Sequence, residues 1–377
     1  RSPLTHAYVH PTQLPVLRCR AVPWRVVVNP ALDAYGWDAG WAGAYDAALA
    51  SPALGDVEHP QPGRVVRHDG AGLVVATVDG PVRAMFGPTV EPAPVVGDWV
   101  VLDRIPNPRA TLPRRSLLRR RAAGGEGEQA MAANVDLVLI VCGLDRPVRL
   151  GRIQRTMTLA NDAGAESLVV LTKADAVGPE VAAAAELTAA EVDPDLAVVT
   201  LSARGGWGIP DLLDHIGTRT VALIGESGAG KSTLVNALVN AEVAATGGVR
   251  QGDAKGRHTT TSRELHLLAN GGVLVDTPGI REVGIFADPD AVAETFPDVE
   301  ELATQCRFND CAHRTEPDCA IQAAVNDGEL DPNRLARWRA LEAEAEAAAI
   351  RADPVAARRR DRQFGRMVKD AVRDKRR

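Results

Sequence analysis

No stretch of this 377-residue sequence approaches the run of roughly 18 to 20 apolar residues that a membrane-spanning helix needs. Nothing near its start reads as a secretory signal either, so the expected location is the cytoplasm, with no membrane partner. An excess of positive charge is also lacking: 49 Asp and Glu against 43 Lys and Arg leave a formal net charge of −6, which excludes a chain generally coated by nucleic acid. The exception is local. The window Arg351–Arg377 carries 11 Lys and Arg against 4 Asp, so polyanion contact should concentrate there. Cysteine is scarce and odd in number, 5 in all, which argues against a disulfide framework. Three of them, Cys306, Cys311 and Cys319, nevertheless crowd into 14 residues, which suggests metal ligation in a reducing compartment. Even an initiating Met is missing: the chain opens on Arg1, and its true start is expected upstream.

What is present divides by composition, and the length allows two or three cores. Residues 1–58 are rich in Pro, Ala and Trp with weak periodicity, an extension to which no chemistry can be assigned. Residues 59–121 turn β-like: "GRVVRHDGAGLVVATVDGPVRAMF" has short Val-rich runs cut by Asp69-Gly70 and Asp79-Gly80, and "VVGDWVVLD" follows. Several short strands in so few residues suit a small barrel, and an OB-like barrel is the economical expectation. Arg114, Arg115, Arg119, Arg120 and Arg121 close the block, either as a solvated basic linker or as a phosphate-backbone contact beside the barrel.

After a Gly-rich linker at Gly124–Gly127, residues 130–285 alternate strand and helix. The runs Val135–Leu144, Ser167–Asp175, Leu196–Ala203, Thr220–Gly225 and Gly272–Gly279 are too continuously apolar for one-sided strands, and they predict a buried, mostly parallel sheet. Helices are expected over Arg149–Ala163, Val181–Val192 and Lys231–Asn240. A hairpin turn at Asn270-Gly271 adds one antiparallel strand. The fold class is therefore α/β.

Gly225-Glu226-Ser227-Gly228-Ala229-Gly230-Lys231-Ser232 fits G-x-x-x-x-G-K-[ST] between an apolar strand and a helix, the context that a phosphate-binding P-loop requires. Its glycines let successive N–H groups face phosphate, and the helix N-terminus, with Thr233 in its first turn, adds its dipole. Lys231 is expected to neutralise β- and γ-phosphate oxygens and Ser232 to ligate Mg²⁺. Asp276-Thr277-Pro278-Gly279 ends a later strand. There Asp276 can hold Mg²⁺ through water and the Gly279 N–H can face the γ-phosphate.

The base is read by "TKAD", Thr172–Asp175. A carboxylate at Asp175 can accept from guanine N1–H and its 2-amino group, whereas adenine would leave that charge unpaired. Lys173 would lie along the purine, and in "LSAR" (Leu201–Arg204) the Ala203 N–H, beside Ser202, can meet guanine O6. GTP and GDP are the expected ligands. Downstream, Cys306, Cys311, His313 and Cys319 stand as C-x₄-C-x-H-x₅-C, three thiolates and an imidazole that suit one closed, structural Zn²⁺ in a module over residues 286–345. Residues 346–377 form a basic helical tail.

These elements are those of a GTPase in rotated order: base readers first, then P-loop, then "GRHTTTS" (Gly256–Ser262), then "DTPG". A β-barrel, a circularly permuted GTPase and this zinc module, in that order, resemble the ribosome small-subunit-dependent GTPase A family over roughly residues 60–345. The resemblance implies a monomeric GTPase that binds the 30S subunit late in its assembly, is stimulated by it, and sets barrel, zinc module and basic tail against 16S rRNA. Three alternatives stay open: a permuted GTPase of large-subunit assembly, a GTP-dependent RNA-binding module with little turnover, or a P-loop ATPase, against which "TKAD" speaks. Two departures stand out. Thr172 replaces the Asn of the general N-K-x-D, removing a side-chain contact, and Ile280 stands where many GTPases carry the water-positioning Gln. His258, directly before Thr259, Thr260 and Thr261, is the best substitute for that Gln, and the resemblance points the same way. One of the three threonines should reach Mg²⁺; the sequence does not say which.

Overall fold

The computed structural model describes residues 30–55, 57–68, 72–85, 90–121, 128–193, 195–246, 263–276, 289–308 and 311–352. Helices α1 (Pro30–Asp33) and α2 (Ala39–Ala50) precede five strands, β1 (Gln61–His68), β2 (Gly72–Thr77), β3 (Gly80–Met85), β4 (Trp99–Leu102) and β5 (Pro108–Thr111). All their pairings are antiparallel, in the order β3-β2-β1-β4-β5. A bulge between Val65 and Arg67 bends β1 so that it can serve both neighbours. Val65, Leu73, Val75, Val100 and Leu102 form the core of this block.

Next come β6 (Leu117–Arg121) and β7 (Glu128–Ala133), which pair with each other on either side of the Gly-rich stretch. The α/β unit follows: β8 (Leu137–Gly143), α3 (Leu150–Ala163), β9 (Glu166–Thr172), α4 (Pro179–Ala190), β10 (Val198–Thr200), α5 (Ile209–Ile216), β11 (Thr220–Gly225), α6 (Lys231–Thr246), β12 (Arg263–Leu267) and β13 (Val273–Asp276). In space the strands run β10-β9-β8-β11-β13-β12, all parallel except β12. The continuity of their apolar runs has a direct cause. Val138 and Ile140 join Ile153 and Ala160 of α3 on one face, while Leu139 and Val141 join Leu212 of α5 and Leu234 of α6 on the other. A strand covered on both faces has no polar side to show.

The β12–β13 hairpin turns over Leu268–Gly271, with Gly271 in the left-handed region at φ 85°. The Asn270 amide donates to the carbonyls of Leu213 (2.5 Å) and Gly217 (2.9 Å), which ties the turn to the end of α5. The outer edge of β12 pairs antiparallel with β1, Arg67 opposite Glu264, so one sheet runs from the five-stranded block into the α/β unit.

The segment to which the sequence assigned no chemistry is packed where it is described. Leu32 and Trp41 share a core with Trp99, Val101 and Leu112, and Trp37 stands edge-on to Trp99 at 4.7 Å. Asp38 caps α2 by accepting from Trp41 N at 2.9 Å and also takes both guanidinium nitrogens of Arg115, at 2.7 and 2.8 Å. The arginine run is engaged inside the fold at four of its five positions. Arg114 holds Asp98 with two bonds of 2.8 Å, Arg119 holds Asp162 of α3 at 2.8 Å and Arg120 donates to Gln129 at 2.9 Å, besides the Arg115–Asp38 pair. These four arginines therefore have protein partners, and Arg115 remains half exposed in its pair. The wholly buried Arg64 knits the same junction, donating to the carbonyls of Gly97, Tyr35 and Asn134 and to Thr220 Oγ1. Burial pulls its pKa down to about 10, below the ordinary guanidinium value.

Helices α7 (Pro289–Thr295), α8 (Pro297–Ala303), α9 (Ala320–Asp327) and α10 (Pro332–Ala352) complete the fold. Phe296, Val299, Ile321, Leu335 and Trp338 form their core, which takes in Leu159 of α3. Among the described residues no helix is long and apolar enough to cross a membrane.

Candidate nucleotide site and metal centre

Three parallel strands, β9, β11 and β13, bring their carboxyl ends to one edge of the sheet, where β11 lies between β8 and β13. Chain order changes direction there, the place at which open α/β sheets bind ligands. Gly225 ends β11 so close to β8 that a Cβ on it would lie 2.3 Å from the Val141 carbonyl oxygen, which is why no side chain fits. The following residues Glu226–Gly230 reverse the chain, and α6 starts at Lys231 with Ser232 and Thr233 exposed in its first turn. The Lys231 ammonium folds back over this loop, donating to the carbonyls of Gly225 (2.5 Å) and Glu226 (2.6 Å). Asp276 ends β13, the strand beside β11, two residues beyond the Leu274 that pairs with Val221.

The segment expected to read the base is bonded to this loop. Thr172, 1% exposed, donates from Oγ1 to the Ala229 carbonyl at 2.5 Å. Where the general N-K-x-D carries Asn, this chain thus places a hydroxyl bonded to the loop after β11. Lys173 takes the left-handed conformation, φ 63°, which sends its Nζ to Asp145 Oδ2 at 2.8 Å. Asp175 is exposed and accepts from Ser202 Oγ at 2.6 Å on one oxygen. That bond, before any other cause, holds its carboxyl below the ordinary carboxylate range. Ser202 is itself fixed by pairing with Trp207, its N–H donating to the Trp207 carbonyl at 3.0 Å, which places Ala203 at the mouth of the same edge.

Sequence reasoning missed a group of charges here. Arg146 Nη1 lies 3.3 Å from Glu226 Oε2 and its Nη2 3.4 Å from Asp145 Oδ2, while Arg152 pairs with the other oxygen of Glu226. The segment Leu144–Leu150 follows the carboxyl end of β8, and that position was the available signal. His258, Thr259–Thr261, Thr277–Gly279 and Ile280 lie outside the described residues.

In the C-terminal module the donor atoms of Cys306, Cys311, His313 and Cys319 all lie within 4.8 Å of one another. Bonds of about 2.3 Å to sulfur and about 2.0 Å to nitrogen put neighbouring donors of a tetrahedral zinc about 3.5 to 3.8 Å apart. Cys306 Sγ is 3.4 Å from His313 Nδ1 and 3.8 Å from Cys319 Sγ, and Cys319 Sγ is 3.7 Å from His313 Nδ1. The donor set and its spacing fit the ion. The backbone carbonyl of His313 accepts from Gln322 (2.7 Å) and Arg339, and its ring meets Trp338 edge-on at 5.8 Å, so both α9 and α10 hold this residue. Glu316 gathers the N–H groups of Arg314, Thr315 and Ala312 in the intervening loop; those bonds, Arg314 first, draw its pKa down to about 2.

Residues 111–286 match the model of the RsgA GTPase family. The small ribosomal subunit biogenesis GTPase RsgA 2 of Vibrio parahaemolyticus is 40% identical over 340 residues, 89% of this chain and 92% of that one. The small ribosomal subunit biogenesis GTPase RsgA of Streptomyces coelicolor is 42% identical over 322 residues, 83% of this chain and 86% of its own. Among solved structures, YjeQ from Thermotoga maritima superposes with a TM-score of 0.57 at 25% identity, covering 76% of this chain and 98% of that one. YloQ, described as a circularly permuted GTPase, does so at 0.55 and 20%, covering 77% and 96%. A T-K-A-D segment that precedes the P-loop motif, on a sheet whose spatial order keeps the two together, is what such a permutation produces. Together with identity sustained along most of both chains, this arrangement establishes that this chain belongs to the RsgA GTPase family.

Proposed function

We propose that this chain is a GTP hydrolase that binds the 30S ribosomal subunit, acts in small-subunit assembly and is stimulated by that subunit. The observation that carries the reading is the bonded pair of motifs, Thr172 on Ala229, which joins a guanine reader to a phosphate loop in a chain about 40% identical to GTPases named for small-subunit biogenesis. In the reaction, a water oxygen bonds to the γ-phosphorus as its bond to the β–γ bridging oxygen breaks, and GDP leaves with that electron pair. Lys231 neutralises the β–γ oxygens, the Gly279 N–H meets the γ-phosphate, and His258 orients the water. The N–H groups of Gly225–Ser232 cradle the phosphates; Asp175 and the Ala203 N–H read the guanine. Ser232 and Asp276 would hold a Mg²⁺ ion, which would balance phosphate charge.

The division into an extension (1–58), an OB-like barrel (59–121), a permuted GTPase (130–285), a zinc module (286–345) and a basic tail (346–377) belongs to the same proposal. So do a cytoplasmic location, a monomeric state and contact with 16S rRNA. The tail, with 11 Lys and Arg against 4 Asp in Arg351–Arg377, supplies a strong local excess of positive charge for that RNA. Single-turnover hydrolysis tests the chemistry. Lys231→Ala should lose nucleotide affinity, whereas His258→Ala should keep GTP binding and lose turnover. Equal turnover by wild type and His258→Ala removes His258 from the mechanism, and preference for ATP in competition removes the guanine assignment.

A further inference from the structure

Beyond the P-loop and base readers, we propose that Arg146 is an additional ligand of the nucleotide's phosphate chain, held on Glu226 and Asp145 and released from them to phosphate oxygens. The inference rests on the GTPase reading above. Its first support is position. A Cβ built on Gly228 would lie 3.3 Å from Arg146 Nη2, so the guanidinium stands against the middle of the phosphate loop. The turn that carries it is built for close approach: a Cβ on Gly143 would lie 2.7 Å from Asp145 Oδ1, 3.4 Å from Ala229 Cα and 3.5 Å from Lys173 Cε. Leu144 N donates to the Thr172 carbonyl at 3.0 Å, which anchors the start of that turn on the base-reading strand.

The second support is the pattern of ion pairs. Glu226 is the second residue of the P-loop, and a carboxylate there opposes phosphate unless it is neutralised. It has two cations, Arg146 at 3.3 Å and the more closely placed Arg152. Asp145 also has two, Arg146 at 3.4 Å and Lys173 at 2.8 Å. Arg146 is therefore the longer partner in both pairs, and each carboxylate keeps a counter-ion when it departs. The Arg146 side chain is 43% exposed, so the pairs it gives up are weak, whereas its planar fork makes short, charge-assisted bonds to phosphate.

A residue that only braced Glu226 would behave differently, and charge-specific variants separate the two roles. GTP and GDP affinities are measured by fluorescent-nucleotide titration for wild type, Arg146→Ala, Arg146→Lys, Glu226→Gln and Arg146→Ala/Glu226→Gln. The proposal expects Arg146→Ala to weaken binding about ten-fold, the scale of a charge-assisted bond to phosphate, with Arg146→Lys between. Glu226→Gln removes one of the two carboxylates that hold Arg146 and should tighten binding, while the double variant should stay weaker than Glu226→Gln by about the same factor. Unchanged affinity in Arg146→Ala overturns the proposal, as does equal weakening by Arg146→Ala and Glu226→Gln. A wild-type protein that binds no guanine nucleotide overturns the GTPase reading itself, a result distinct from either.

Discussion

At the scale of single residues, Thr172 ties the T-K-A-D segment to the loop after β11. Its hydroxyl reaches the Ala229 carbonyl at 2.5 Å from a position 1% exposed, so removing it leaves a buried acceptor unpaired. Thr172→Val keeps the shape and should cost about 1 to 3 kcal/mol, seen as weaker nucleotide binding and a lower midpoint in urea. No change in either measurement would show that the bond carries no weight. Base choice is a second residue-scale matter. Asp175→Asn should weaken GTP and favour xanthosine triphosphate, because the amide donates where the carboxylate accepted; GTP binding unchanged in this variant would take Asp175 out of base recognition. The Ser202 bond adds a pH signature. It lowers the Asp175 pKa, so the carboxylate, and the GTP affinity that depends on it, should persist to lower pH in wild type than in Ser202→Ala. Superimposable pH profiles of the two proteins between pH 3 and 6 contradict this arrangement.

At the scale of elements, α3 is the common support of both sites. Its first turn sends Arg152 to Glu226 of the P-loop, its middle sends Arg155 to Glu344 of α10 (3.0 Å), and Thr158 meets Thr295 of α7 at 3.0 Å in a buried contact. Helix α2 has a bridging role too, between the core around Trp99 and Arg115. Asp38→Ala removes a helix cap and both bonds to Arg115, and it should cost about 1 to 2 kcal/mol by urea denaturation. The Arg115 bond lowers the Asp38 pKa, so this contribution is full above the ordinary carboxylate value and fades as pH falls through the lowered one. The stability gap between wild type and Asp38→Asn should accordingly close in acid. A gap constant with pH would show that the charge of Asp38 adds no stability through Arg115.

The legibility of these elements follows from their surroundings. Strands β8, β9 and β11 were readable because burial on both faces makes their text uniformly apolar, and the P-loop because phosphate geometry fixes its glycines. The hairpin at Asn270-Gly271 was readable from its turn residues. By contrast, α2 scatters small and apolar residues around its circumference, and only the tertiary partner Trp99 gives Trp41 a direction. The pairing of β1 with β12 joins residues nearly 200 positions apart, a contact that no local pattern announces. An arginine run reads the same whether its partners are phosphates or Asp38, Asp98 and Asp162, which lie far from it in sequence.

On the scale of the whole molecule, the α/β unit is joined to the five-stranded block through a shared sheet and to the C-terminal helices that carry the Cys₃His cluster through α3. Zinc should supply much of the folding energy of so small a module, so Cys306→Ser/Cys311→Ser should lose the ion and unfold it locally. Nucleotide affinity should survive, since the described residues of the nucleotide site all lie outside the module, while stimulation by the small subunit should fall. Full stimulation in a variant shown by metal analysis to be zinc-free would move that communication to the five-stranded block. The central claim meets its most direct test in steady-state GTP turnover by the purified chain, titrated in parallel with purified 30S and 50S subunits. The account predicts that 30S subunits accelerate hydrolysis and that 50S subunits do not; acceleration by 50S alone, or by neither, would contradict it.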